Sequence, residues 1–236
     1  MAATKKGKTM SLHNRILIPR IDGSVLKTSL LLLVAVLLFA VQASAANLIQ
    51  NGSFQSGDFT AWTIGATSNG TWGDGFPIVT AWPLGGMNAA QGEVGEVNFD
   101  GTFQGGTLSQ DFVSGAGAAS LSFDWAAMGD GMNTNADGGN FELILDGITL
   151  ANFDVGTIGP NDLFNGTISA NTNLTAGMHT LEIAVLRPFI SIAGSTPYQY
   201  VTNVDVEGAI PEPSSVLLLG IGALGLVGFL RRKRHV

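Results

Sequence analysis

The chain has 236 residues, no cysteine and a formal net charge of −7 at pH 7. The lack of cysteine excludes a disulfide framework, a thiolate metal site and a cysteine nucleophile. Sixteen carboxylates lie between residues 46 and 210 against a single cation, Arg187, a balance that repels phosphate backbones and excludes nucleic acid as a partner.

The other ten basic residues sit at the ends, six before Leu30 and four after Leu230. Basic ends around an acidic middle are what export of the middle predicts. The length suits one medium-sized domain with targeting segments at each end.

Residues 30–41 form a 12-residue apolar run with Lys27 just before it, too short to span a membrane comfortably. Ala43-Ser44-Ala45 follows, a small-x-small cleavage pattern. The spacing predicts a helical secretory signal peptide over residues 1–45, handled by the Sec machinery and cut by signal peptidase after Ala45. Its basic region is long, and Met10 is an alternative start.

Residues 46–208 are rich in Gly, Asn, Thr and Ser, and no stretch sustains a helical period. Asn47-Leu48-Ile49 leads into a turn at Asn51-Gly52-Ser53-Phe54, and residues 59–64 follow as a strand. Residues 94–99 and 107–113 read as strands separated by an Asp100-Gly101 turn. Leu121, Phe123 and Trp125 alternate with polar or small residues and face a core. Residues 141–145 and 148–153, joined by Asp146-Gly147, form a hairpin, because Asp-Gly suits a type I′ turn. Leu181, Ile183 and Val185 alternate, as do Tyr200, Thr202, Val204 and Val206 on the last strand. Eight to ten short strands over this length predict a β-sandwich. The segment 65–92 is long for a loop, and loops of that length carry function or are disordered.

The run Asn47-Leu48-Ile49-Gln50-Asn51-Gly52-Ser53-Phe54-Gln55-Ser56-Gly57-Asp58-Phe59 with Trp62-Thr63 resembles the opening strand of jelly-roll domains of the carbohydrate-binding-module and galactose-binding-like type. Leu108-Ser109-Gln110-Asp111-Phe112, residues 176–181 and residues 201–206 fall where such domains carry similar strings. The resemblance implies an all-β, two-sheet jelly roll, and sugar binding only loosely, because the fold hosts many functions. Members often carry carboxylates at the positions of Gln55 and Thr202, where they help hold a structural calcium. A neutral amide and a hydroxyl are weaker calcium ligands, and Asp58 and Asp205 are the nearest substitutes in sequence.

Asp130, Asn133, Asn135 and Asp137 place oxygen ligands along one loop that can wrap a calcium ion, without the acidic twelfth residue of an EF-hand. Trp62 and Trp125 fall on core-phase positions. Trp72 and Trp82 lie in the Gly-rich segment with Phe76, and exposed rings there would stack on the C–H face of a sugar. His179, at a turn entering a strand, reads as a local hydrogen-bonding residue rather than a catalytic base. Arg187 reads as a partly buried ion-pair member, with Glu182 a candidate partner and acidic glycan an alternative contact. Many carboxylates are available for a glycosidase pair, but nothing selects two of them, so no catalytic residue is assigned.

Residues 209–236 close the chain. Pro211-Glu212-Pro213 precedes an apolar run at residues 216–230, and Arg231-Arg232-Lys233-Arg234 follows. As a helix of about 1.5 Å per residue, this 15-residue run falls short of a hydrocarbon core of about 30 Å. The prolines keep the tripeptide extended ahead of the span. The layout resembles the PEP-CTERM sorting signal of Gram-negative bacteria. The resemblance implies recognition by the membrane-embedded protease-transpeptidase exosortase, passage through the inner membrane, and delivery to the cell surface or extracellular matrix alongside exopolysaccharide and biofilm. The expected protein is therefore a non-catalytic exported surface or matrix protein with glycan as a candidate ligand and no obligatory cofactor. A secreted glycan hydrolase and a permanently tail-anchored membrane protein are the alternatives.

Overall fold

The alternating runs of the middle region are strands, and they form two antiparallel sheets. The computed structural model describes residues 46–131, 137–191 and 196–208, together with Gly222. The chain divides into two compact units, Met1–Gln42 and Ala43–Val236, of which the second contains the sandwich. The first unit, Ala43 and Ala45 at the expected cleavage site, Pro211, Glu212 and Pro213, the apolar span and the basic cluster Arg231–Arg234 lie outside the described residues.

The first sheet runs in the order β11 (Leu163–Leu174), β8 (Gly117–Met128), β13 (Tyr198–Gly208), β5 (Asn88–Gly92) and β4 (Ile78–Ala81), with β1 (Ala46–Asn47) on the far end of β13. The second runs β10 (Ile148–Asp154), β9 (Asn140–Leu145), β12 (Gly177–Arg187), β7 (Gln104–Ser114) and β2 (Thr63–Ala66). A small ladder joins β3 (Gly70–Thr71) to β6 (Gly95–Glu96). From β7 onward the chain changes sheet at every step except the β9–β10 hairpin, which is the jelly-roll course.

The core lies between the sheets. Leu121, Phe123 and Trp125 from β8 meet Phe141 and Leu143 from β9 and Leu181, Ile183 and Val185 from β12, all buried. The Trp125 ring stacks on Phe141 at 5.1 Å and on Phe153 at 4.9 Å between centroids. Gly166, opposite Trp125 on β11, leaves the room that ring occupies. Each such side chain contributes about 1.5–3 kcal/mol by leaving water. In the β9–β10 hairpin, Asp146 (φ 50°) and Gly147 (φ 77°) are both left-handed, as the type I′ turn requires.

Four expectations are corrected, the first being the strand over residues 59–64, which begins only at Thr63 after a turn closed by Trp62 N–H on Phe59 O. Residues 94–99 give only the two-residue β6. The segment 65–92 is not a loop, because it supplies β3, β4 and β5. The alternation on the last strand breaks at Asn203 (φ 49°), where β13 slips register against β8 between Thr202 and Asp205. Val201 therefore joins Val204 and Val206 in the main core, and Tyr200 turns to the outer face.

Arg187 is fully buried at the end of β12. Its guanidinium donates to Val94 O at 3.0 Å and lies 5.9 Å from the Phe189 ring centre. Burial pushes it down to about 10, opposed by Asp137 and Glu93, so it stays charged at neutral pH. Glu182 is not a partner: it sits an odd number of residues away on a two-residue period, so it points out where Arg187 points in. Burial raises both Glu93 and Asp137, and Arg187 counters the rise in each.

His179 takes the local role expected of it. Its Nδ1 lies 2.7 Å from Asp146 Oδ2 and its Nε2 lies 3.0 Å from Thr175 O. A carboxylate and a carbonyl both accept, so this setting favours the protonated ring, which donates from both nitrogens. The Asp146 hydrogen bond and then the Thr175 carbonyl raise its pKa above the usual 6.5. Asp146 is pushed up by desolvation, but the bonds from His179 and the Thr180 amide outweigh this and hold it below its usual value. The pair clasps the β9–β10 turn to β12.

Two outcomes follow from these buried groups. Arg187→Leu leaves Glu93 and Asp137 uncompensated and lowers unfolding free energy by about 3–5 kcal/mol in urea titrations; a loss below about 1 kcal/mol would contradict the assigned charge balance. The clasp is complete between the unfolded pKa of Asp, about 3.9, and that of His, about 6.5. Its stabilisation falls away as pH rises through the raised His179 value. NMR titration should place the His179 pKa above about 6.5, and His179→Gln should flatten the alkaline fall in Tm.

Candidate functional site

The expected sugar platform is not on the surface. Trp72 is 5% exposed and Trp82 is 7% exposed. Trp72 donates its indole N–H to Gly65 O at 2.8 Å, and its ring packs where Cβ atoms on Gly92 or Gly106 would stand. It thereby plugs the side of the sandwich between β5 and β7. Trp82 folds over the outer face of the first sheet onto Ala89, Ala126 and Tyr200, meeting the tyrosine edge-on at 6.3 Å. Burial pushes the Tyr200 phenol up to about 12. Neither indole offers a free face for stacking. Gly92, within the segment, and Gly106 of β7 are what let the Trp72 ring approach backbone.

Several of the expected calcium ligands are engaged in local hydrogen bonds. Thr202 donates its hydroxyl to Asn88 O at 2.6 Å, and Asn88 Nδ2 donates to Phe54 O at 3.1 Å. Gln55 is exposed. Asp58 uses Oδ1 on the Ser56 hydroxyl and the Thr60 amide within its own turn, and Asp205 stands opposite Ser122 on β13. Neutral side chains thus hold the Asn88 and Phe54 carbonyls there. In the other candidate loop, Asn133 and Asn135 lie outside the described residues; Asp137 accepts the Gly139 amide at 2.8 Å, and Asp130 stands on the loop's near side. Among the described residues, no three His, Cys, Asp or Glu side chains are grouped to hold a metal.

An open polar site lies elsewhere, on the outer face of the second sheet. Leu108, Gln110 and Phe112 of β7 point inward, so Ser109 and Asp111 point out. Thr63 of β2 stands directly across from Ser109. Gln110 fixes the adjoining loop: its Oε1 accepts the Gln50 amide at 2.7 Å and its Nε2 donates to Gln50 O at 2.9 Å. Together Gln50, Ala61, Thr63, Ser109, Gln110 and Asp111 line a cleft of ≈ 330 Å³.

The face continues as a lattice of hydroxyls and carboxylates. Ser109 registers with Glu182, Glu182 with Ile144, and Ile144 with Thr149. Thr180 donates its hydroxyl to Asp111 Oδ1 at 2.6 Å. Glu142 accepts from Asn140 Nδ2 at 3.0 Å. Sequence reasoning placed Ser109, Asp111 and Thr63 on strands without singling them out. Their outward phase was readable from the alternation, whereas the openness of the cleft depends on how residues 50–61 cross it.

A comparison with curated protein sequences finds no match. Solved structures similar in chain course include a carbohydrate-binding module, TmCBM61, in complex with β-1,4-galactotriose (15% identity, TM-score 0.43, covering 69% of this chain and 98% of that one). They also include the CBM22-1 xylan-binding domain of Paenibacillus barcinonensis Xyn10C (11% identity, TM-score 0.40, 72% and 98%). A third is the K3 cleaved adhesin domain of Lys-gingipain from Porphyromonas gingivalis (10% identity, TM-score 0.42, 69% and 100%). At the other end of the chain, residues 209–234 match the PEP-CTERM protein-sorting motif, the signal of an exported protein processed by exosortase.

Proposed function

We propose that this chain is a non-catalytic exported protein which exosortase delivers to the surface or extracellular matrix of a Gram-negative cell. There its β-sandwich binds neutral exopolysaccharide through the cleft between β2 and β7. The sorting motif at residues 209–234 carries the first half of this reading. Inner-membrane passage precedes release, and the basic cluster Arg231–Arg234 stays on the cytoplasmic side.

The cleft carries the second half. Its volume suits a sugar residue, and its lining is hydroxyl, amide and carboxylate. Such groups exchange hydrogen bonds with sugar hydroxyls. Asp111, Glu142 and Glu182 make the face negative, while Arg187 is wholly buried, which disfavours acidic glycans. Asp111 and Glu142 act as acceptors for neighbouring side chains, an arrangement that supports binding rather than hydrolysis.

Replacing Pro211, Glu212 and Pro213 together with alanine should leave export intact and retain the protein in the inner membrane; fractionation that finds normal surface delivery would refute the sorting half. For the binding half, Asp111→Ala removes a charged acceptor from the cleft. It should weaken retention in affinity gels of the host's exopolysaccharide by roughly 10- to 100-fold with Tm little changed. Retention equal to wild type would remove the cleft from consideration.

A further inference from the structure

The four sheet edges are guarded unequally. An exposed edge strand offers unpaired N–H and C=O groups, and proteins blunt such edges with short strands, bulges, prolines or charges. In the first sheet β4 has 4 residues and lies between Pro77 and Pro83. In the second, β2 has 4 residues, and β10 is bulged between Thr149 and Ala151 and ends on Asp154. The remaining edge, β11, has 12 residues in unbroken register with β8. Its sequence Leu-Phe-Asn-Gly-Thr-Ile-Ser-Ala-Asn-Thr-Asn-Leu contains no charge and no proline.

We propose that β11 is a docking edge for a second copy of this chain, two β11 strands pairing antiparallel about a two-fold axis at Ser169 and joining the two first sheets into one. The sequence of β11 is self-complementary in that register. On the outer face Ser169 meets its own copy, Thr167 meets Asn171, and Asn165 meets Asn173. On the core side Ile168 meets Ala170, Gly166 meets Thr172, and Phe164, 45% exposed, meets Leu174. Hydroxyls and amides pair on one face and apolar or small groups on the other, as cross-strand neighbours should.

The self-complementary register selects this occupant, and charge does not bar it along β11. Between residues 46 and 210 the chain has sixteen carboxylates and one cation, so copies repel one another over most of their surface. Along β11 two copies present neutral strands to each other. The nearest carboxylate on the adjoining strand, Asp124, is held by Thr167 Oγ1 at 2.6 Å and Asn203 Nδ2 at 2.8 Å. Its counterpart in the second copy would lie three strand spacings away, roughly 14 Å at about 4.8 Å each, beyond a screening length of about 8 Å. A two-fold contact of this kind is isologous and closes at a dimer.

The test is sedimentation velocity over a concentration series with the exported protein purified from its host. Wild type should show a concentration-dependent dimer. Ser169→Lys alone and Ser169→Glu alone should each weaken it about tenfold or more, since like charges then face one another across the axis. An equimolar mixture of the two variants should restore it. Circular dichroism confirms that both variants fold, Ser169 being exposed. The proposal is overturned if wild type stays monomeric, if both variants dimerise like wild type, or if the mixture stays monomeric. It is also overturned if hydrogen exchange shows the β11 amides covered by residues 1–45 or 209–236 of the same chain. Each readout is independent of the β2–β7 cleft.

Discussion

One extra residue in β13 fixes much of this molecule. Opposite Phe123 of β8, β13 places two residues where its partner has one. Asn203 takes a left-handed backbone there and donates its amide to Asp124. The slip lets a single central strand serve both faces of its sheet. On the core side Val201, Val204 and Val206 pack between the sheets; on the outer side Tyr200 receives Trp82. The same bulge receives the start of the domain. Val204 N–H donates to Gly52 O at 2.9 Å, and a Cβ at Gly52 would strike the Val204 carbonyl. The Gly of Asn51-Gly52-Ser53-Phe54 is thus required by close backbone approach. Phe54, behind it, is fully buried and stacks on Trp62 at 5.7 Å.

Features governed by one strand at a time were legible in the sequence. The phase of Leu121, Phe123 and Trp125, that of Leu181, Ile183 and Val185, and the Asp146-Gly147 turn all follow from local rules of period and dihedral. Features that depend on a partner strand were not. The β13 bulge exists because β8 and the Gly52 turn fix its ends, and no residue in Tyr200-Val201-Thr202-Asn203-Val204 announces it except an asparagine that tolerates positive φ. Trp72 and Trp82 were misplaced for a related reason. Glycine-rich sequence signals a loop when nothing is known of its neighbours, but here Gly92 and Gly106 come from separate strands and together make the slot for one indole.

The site shows the same division. Parity alone turns Ser109 and Asp111 outward, and parity alone separates Glu182 from Arg187. Whether an outward residue stands on a bare face or under a crossing segment is a tertiary matter. Paired bonds with Gln110 hold the Gln50 backbone beside β7, and Gln50 and Ala61 line the cleft with the strand residues. Where the resemblance led to an expectation of carboxylates around a cation, Asn88 and Thr202 use an amide and a hydroxyl to tie Phe54, β5 and β13 together. Neutral hydrogen bonds do there the structural task a metal could have done, without adding charge to a chain already rich in carboxylates.

The disposition of charge connects the fold to its setting. The chain keeps ten of its eleven Lys and Arg residues at its two ends, which leaves the domain between them acidic. The fold then withdraws the single remaining cation: Arg187 lies at the core end of β12, where it offsets Glu93 and Asp137 rather than any ligand. The outer surface carries carboxylates, hydroxyls and amides alongside scattered exposed apolar side chains such as Ile148 and Met178. A domain built this way stays soluble and avoids anionic partners over long range, while short-range hydrogen bonding remains available wherever a cleft or an uncharged strand allows close approach. Those two conditions are met at different places, the β2–β7 cleft in the second sheet and β11 in the first, so a ligand at one need not compete with a neighbour at the other.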